Sequence, residues 1–114
     1  MLRTLLKSKI HRATVTEANL EYMGSITLPK KLMKLVDLWQ GEQVLIVSNT
    51  SGHRLWTYAI EGKDEHNICM NGASAHLIKK GEQIIIMAFA HSETPIKPKN
   101  VLVDDKNNFV KYFD

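Results

Sequence analysis

The sequence predicts a mainly β domain, a small barrel with short helices, on three observations. Short apolar runs rich in Val and Ile, such as Val44–Val47 and Ile84–Ala90, stand between Gly, Asn and Pro punctuation. The segment Gly41-Glu42-Gln43-Val44-Leu45-Ile46 recurs 40 residues later as Gly81-Glu82-Gln83-Ile84-Ile85-Ile86, each copy after a helical stretch, so two related helix-Gly-strand units form a pseudo-symmetric barrel. With 114 residues there is room for one compact core, and residues 1–114 are read as a single domain.

The elements follow in order. Residues 3–16 end in Ala13-Thr14-Val15-Thr16, whose β-branched side chains favour an extended chain. Lys9 and His11 on this strand are two apart and share a face. A cation beside an imidazole suits an anionic ligand, although a solvated basic face is the plainer reading. Glu17–Leu20 reads as a turn, followed by a strand carrying Tyr22, Gly24 and Ser25 as far as Leu28. A serine hydroxyl attacks the carbonyl before it only where the backbone is held in an unusual conformation, and Gly24 permits one; the ordinary alternative is a strand bend. Pro29 opens a helix over 29–38, with Leu32, Leu35 and Val36 at helical spacing.

Beyond Gly41, Val44–Val47 and Arg54–Ile60 form a hairpin around Asn49-Thr50-Ser51-Gly52. A polar loop with Gly62, Asp64 and Asn67 leads to a short strand, Ile68-Cys69-Met70. The turn from Asn71 to His76 is made of small residues and opens a short helix with Asn71 as its cap. Ile84–Ala90 reads as a strand buried on both faces, Pro95 and Pro98 mark an irregular loop, and Val101–Val103 with Phe109–Tyr112 form a last hairpin.

Composition narrows the class. No segment approaches the roughly 18 uninterrupted apolar residues of a membrane helix. The lone Cys69, in an apolar context, has no partner for an internal disulfide and fits a reducing, cytoplasmic compartment. A formal charge of +3 and a pI near 9.0 suit an acidic substrate or a weak nucleic-acid contact without establishing either. The first sixteen residues hold Arg3, Lys7, Lys9 and Arg12 and no acid, as transit peptides do, but the strand-like Thr14-Val15-Thr16 and the lack of a cleavage signal favour a mature N-terminal strand.

Four scattered elements, Lys9-Ile10-His11-Arg12, Tyr22-Met23-Gly24-Ser25, Arg54-Leu55-Trp56-Thr57-Tyr58 and Asn71-Gly72-Ala73, stand in the order and spacing of one family. Over nearly its whole length the chain resembles the pyruvoyl-dependent aspartate 1-decarboxylases. The resemblance implies a six-stranded double-psi β-barrel, a homotetramer with active sites between subunits, and self-cleavage between Gly24 and Ser25 into a β chain (1–24) and an α chain (25–114). Ser25 would become the pyruvoyl cofactor, with no metal. That group would take the α-amine of L-aspartate as a Schiff base and accept the electrons as carbon dioxide leaves, giving β-alanine for pantothenate.

In that scheme Arg54 anchors a substrate carboxylate through its planar fork, and Tyr58 is the proton donor. Thr57 serves processing, by donating to the Gly24 carbonyl, and also lines the substrate site. Thr57 and Tyr58 point to opposite faces of a regular strand, which a bend or a subunit boundary has to reconcile. Asn71, Gly72, Ala73 and Ser74 position substrate, while Lys9 and His11 complete a positive site. Trp56 stands where the family usually has a small or polar residue, and Ser74 where it has alanine. A maturation helper is compatible with the resemblance; nucleic acid and membrane are not expected as partners.

Two rival readings come from other classes. Gly24–Leu32 followed by Leu38–Val44 also resembles the swapped-hairpin DNA-binding modules of bacterial transition-state regulators, but only over residues 20–48. A metal site from His11, His53, His66, His76 and His91 lacks close ligand spacing on any one element.

Overall fold

A computed structural model describes all 114 residues. The strands are β1 (Arg3–Thr14), β2 (Glu17–Asn19), β3 (Ser25–Pro29), β4 (Gln43–Ser48), β5 (Arg54–Gly62), β6 (Cys69–Asn71), β7 (Gln83–Ser92), β8 (Lys99–Val103) and β9 (Phe109–Phe113), with helices α1 (Lys30–Leu35) and α2 (Ser74–Leu77). They join in the order β2-β6-β3-β5-β4-β7-β1-β8-β9. The sheet curls around one core of 21 buried apolar residues, a small β-barrel. Its pairs β1·β8, β2·β6 and β3·β5 are parallel and link strands distant in sequence.

The Gly-Glu-Gln echo is a structural two-fold. Strands β4 and β7 lie antiparallel with Ile46 opposite its own counterpart Ile86, flanked by Leu45↔Met87 and Val47↔Ile85, so the local axis passes through the Ile46·Ile86 pair. The hydrogen bonds repeat as well. The Gly41 amide donates to the Ala59 carbonyl at 2.7 Å and the Ala59 amide to the Glu42 carbonyl at 3.0 Å, while Gly81, Val15 and Glu82 make the same two bonds at 2.7 and 3.0 Å. Both glycines have positive φ, 85° and 91°, which lets the chain turn sharply into each strand. Each glutamate then folds back to accept from the amide three residues earlier, Trp39 N to Glu42 Oε1 at 3.0 Å and Lys79 N to Glu82 Oε2 at 2.6 Å.

Several elements differ from the sequence expectation. Nine strands form: β2 is one that its own sequence does not signal, while β6 at Cys69–Asn71 and β9 at Phe109–Phe113 lie within a residue of the strands expected at Ile68–Met70 and Phe109–Tyr112. Glu17–Asn19 is the strand β2 and not a turn, because Cys69–Asn71, some fifty residues on, offers it a parallel partner. Tyr22 and Gly24 lie outside any strand, in an exposed turn, and β3 begins only at Ser25. Helix α1 is shorter than 29–38, ending where Asp37 takes a φ of 56°. Strand β7 is buried on one face only: Ile84, Ile86 and Ala88 enter the core, while the alternate residues stay half-exposed on the outer face.

Candidate active site

The site is built where β3 starts. Strand β3 pairs antiparallel with β6, placing Ser25 opposite Asn71 and Thr27 opposite Cys69. Because side chains two apart share a face, these four form one polar square, while Ile26 and Met70 between them enter the core. The Asn71 amide nitrogen donates to Ser25 Oγ at 2.8 Å and to Thr27 Oγ1 at 2.9 Å, and the Cys69 thiol donates to Asn71 Oδ1 at 3.0 Å. Ser25 is 0% exposed, although the residues before it are open: Tyr22 is 60% and Met23 84% exposed. A buried, hydrogen-bonded hydroxyl therefore follows an exposed turn.

Gly72 packs its bare backbone against that turn. Its φ is 63°, and a Cβ there would lie 2.6 Å from the Tyr22 carbonyl oxygen, 2.7 Å from the Gly24 nitrogen and 2.9 Å from the Gly24 Cα. The Gly72 amide donates to the Asn19 carbonyl at 2.8 Å, so the backbones on either side of the turn are stitched together. Asn71 does not cap α2, which has no side-chain cap, because its Oδ1, the acceptor a cap needs, takes the Cys69 thiol while its nitrogen serves the two hydroxyls. Ser74 instead donates its hydroxyl to the Asn71 carbonyl at 2.7 Å, holding the turn from below.

Strand β5 supplies the other wall. It is paired with β4 through Arg54–Tyr58, but its pairing with β3 begins only at Ala59, so one edge of Arg54–Tyr58 carries no strand. Beside this free edge lies a pocket of about 440 Å³ lined by Gly24, Leu55, Trp56, Thr57, Tyr58, Ala73, Ser74 and Leu77. Thr57 and Tyr58 do point to opposite faces, Thr57 half-buried and Tyr58 39% exposed, yet both reach this pocket because it opens at the strand edge. Arg54, Trp56 and Tyr58 share the exposed face, and Trp56 packs on Phe89 with ring centroids 6.1 Å apart. Arg54 makes no ion pair; the only salt bridge is Lys7–Glu42, at 3.0 Å.

Lys9 and His11 are not at this pocket. Cross-strand register puts Lys9 in line with Met87, Leu45 and Trp56 on the outer face, three strand spacings or about 14 Å from β5. Both residues lie against Phe113, Lys9 Nζ at 6.0 Å from the ring and the His11 ring at 5.7 Å. Burial, then the charges of Lys9 and Arg12, hold His11 below the usual imidazole range. It is neutral near pH 7, so positive charge at that end comes from Lys9 and Arg12, not from His11. The remaining histidines scatter: His53 meets the Leu77 carbonyl, His66 meets Asn108, His91 meets Thr4, and His76 lies on α2. No group of three or more His, Cys, Asp or Glu side chains gathers in a metal-holding cluster.

Thr27 and Cys69 are the members of the square that sequence reasoning missed. Once Ser25 faces Asn71 across two strands, residues two positions away on each strand must share their face, and that alternation is the signal that finds them.

Comparison with known proteins agrees with this geometry. A family model described as aspartate decarboxylase matches residues 1–110. An aspartate 1-decarboxylase of Clostridium botulinum is 51% identical, over 94% of this chain and 90% of the relative. Those of Desulfitobacterium hafniense and a Thermotoga species are 47% and 46% identical, each over 97% of this chain and over 91% and 98% of the relative. The match takes in Arg54, Thr57, Tyr58 and Asn71–Ala73, which the DNA-binding reading, confined to residues 20–48, left without a role. A Gly-Ser bond held between a buried hydroxyl and an open turn, and a sequence match running through every element of the barrel, lead to one conclusion: the chain belongs to the aspartate decarboxylase family.

Proposed function

We propose that the chain is an aspartate 1-decarboxylase that makes its own cofactor by cutting the Gly24–Ser25 bond. The observation that carries this reading is the buried Ser25 hydroxyl, fixed by Asn71 at 2.8 Å immediately after a Gly24 whose backbone is pinned by Gly72. In the cut, Ser25 Oγ bonds to the Gly24 carbonyl carbon, the carbon–nitrogen bond breaks, and the hydroxyl proton ends on the freed Ser25 nitrogen. Thr57, lining the same pocket as Gly24, donates to the carbonyl oxygen as it becomes an oxyanion. Loss of the Ser25 α-proton then expels the Gly24 carboxylate from Cβ, and water replaces the resulting imine nitrogen, releasing ammonia and leaving a pyruvoyl group on residue 25.

The residues present suit such a group. After cleavage residue 25 stays anchored by the β3 pairings to β5 and β6, whereas the new end at Gly24 belongs to the exposed turn and is free to leave the pocket. The pyruvoyl carbonyl would supply an electron sink for loss of the α-carboxylate. Arg54, unpaired and on the exposed face of β5, holds a substrate carboxylate. Tyr58 delivers a proton to the carbon that lost carbon dioxide, and Ala73 and Ser74 shape the opposite wall of the pocket.

Lys9 belongs to the same site only if a second subunit brings it there, since within one chain it lies three strands away. The free β5 edge and the exposed Tyr22, Met23, Trp56 and Leu77 around the pocket support a homotetramer with active sites between subunits. The reaction yields β-alanine for pantothenate in the cytoplasm, and a maturation helper would act on the exposed turn.

Intact mass of the purified protein, with both fragment ends identified, tests this reading. Two chains, 1–24 and 25–114, the second beginning with a ketone, are expected together with carbon dioxide release from aspartate; Ser25→Ala should remain one inactive chain. An active Ser25→Ala protein would sink the mechanism.

A further inference from the structure

Asn71 is 2% exposed, and its amide is fully engaged. Both N–H bonds go to hydroxyls, those of Ser25 and Thr27, which leaves Oδ1 facing the Cys69 thiol at 3.0 Å. An asparagine amide turned by half a rotation presents nearly the same shape with donor and acceptor exchanged, so only its partners decide which way it sits. Ser25 and Thr27 do not decide it, because a hydroxyl both donates and accepts. The thiol does, since sulfur accepts an N–H more weakly than oxygen does, so the S–H is better matched to the amide oxygen than the sulfur is to the amide nitrogen. Cys69 is 2% exposed, and burial, then the negative charge of Glu17, push its thiol up to about 11, so it keeps its proton.

We propose that Cys69 is a positioning residue for self-cleavage: its S–H fixes the Asn71 amide so that the nitrogen, not the oxygen, faces Ser25. The inference rests on the cleavage reading above. With nitrogen toward Ser25, Oγ accepts a hydrogen bond and its own hydrogen is directed back along the backbone, where the Met23 carbonyl is 3.4 Å away. The Ser25 nitrogen, which has to collect that proton when the Gly24–Ser25 bond opens, belongs to the same stretch of backbone. With the amide reversed, Oδ1 would draw the Ser25 hydrogen toward β6, away from the bond being cut, and the N–H would be left against sulfur.

The test is the rate of cutting in chains made by cell-free synthesis, so that each starts uncut, followed by intact mass alongside melting temperature. Cys69→Ala removes the donor and should slow cleavage roughly tenfold, the factor one hydrogen bond carries. Cys69→Ser restores a donor, but a hydroxyl also accepts and fixes the amide less firmly, so it should cut at a rate between those of the parent and Cys69→Ala. A Cys69→Ala chain cut at the parental rate overturns the inference, as does a Cys69→Ser chain slowed as much as Cys69→Ala, which would make sulfur packing the cause. A parental chain that never cuts, even when cell extract is added to supply a helper, overturns the cleavage reading and this one together, whereas the first two results leave that reading standing. Equal melting temperatures for the Ala and Ser variants, with unequal cutting, separate positioning from loss of fold.

Discussion

Gly72 sits so close to Gly24 that a Cβ on the first would stand 2.7 Å from the backbone nitrogen of the second. The contact is with backbone, which has no rotamer to yield, and the φ of 63° at Gly72 adds the cost of a left-handed conformation, about 1–2 kcal/mol for a residue with a side chain. The sequence reading gives Gly72 to substrate; its position puts it first against Gly24, beside the bond proposed to be cut.

Gly72→Ala should therefore displace the Tyr22–Gly24 turn and slow cleavage more than tenfold, while β3 and the core, held by pairing and burial elsewhere, stay folded. Time courses of intact mass, with a thermal melt as control, read both effects. An alanine variant that matures as fast as the parent would mean that the turn adjusts freely and that Gly72 does not hold it.

Arg54 is on the opposite footing. It is exposed, makes no ion pair and contacts nothing in the Ser25–Asn71 square, so Arg54→Ala should change stability by less than about 0.5 kcal/mol and leave cutting intact. Losing a charged, two-pronged contact with a carboxylate should raise KM for aspartate on the order of a hundredfold. Steady-state kinetics on fully cleaved protein separate KM from kcat. Unchanged KM would remove Arg54 from the substrate site.

What was legible in the sequence divides along physical lines. The two-fold was visible because its parts are local: a glycine for the turn, a glutamate to cap it, and an apolar run, repeated 40 residues on. The strands β2 and β6 were not, or not at their true extents, because three-residue strands owe their existence to a partner distant in the chain. For the same reason Asn71 read as a helix cap: its tendency to bond nearby amides is encoded locally, whereas its real partners, Ser25 and Thr27, arrive by tertiary pairing. Lys9 and His11 were rightly placed on one strand, but the neighbours that neutralise His11 include burial, which two residues of sequence do not reveal.

The two-fold also sets up a comparison within one molecule. Glu42 and Glu82 occupy equivalent positions and cap equivalent turns, but Glu42 is half-buried beside Lys7, with its side chain 24% exposed, while Glu82 is buried and accepts from Ser48 Oγ at 2.6 Å and Lys79 N at 2.6 Å. Burial pushes the Glu82 carboxyl up, but the hydrogen bonds from Ser48 and Lys79 outweigh it and hold the group below its usual value of 4.5. A carboxylate lowered in the folded state contributes stability that is present above its unfolded value and lost as pH falls through the folded one. Glu82→Gln should cost about 1.5–3 kcal/mol at pH 7, since it replaces charged acceptors by one neutral one and brings an amide nitrogen against a donor. As pH falls below 4.5 and through the lowered folded value, its melting curve should converge on that of the parent, because the parental carboxyl is then taking up its proton too. Glu42→Gln should cost under about 1 kcal/mol, as exposed ion pairs do. Thermal melts of the three proteins from pH 7 to pH 3 decide the matter: equal losses at pH 7 would show that the shared turn geometry, and not the burial of Glu82, sets the strength of these caps.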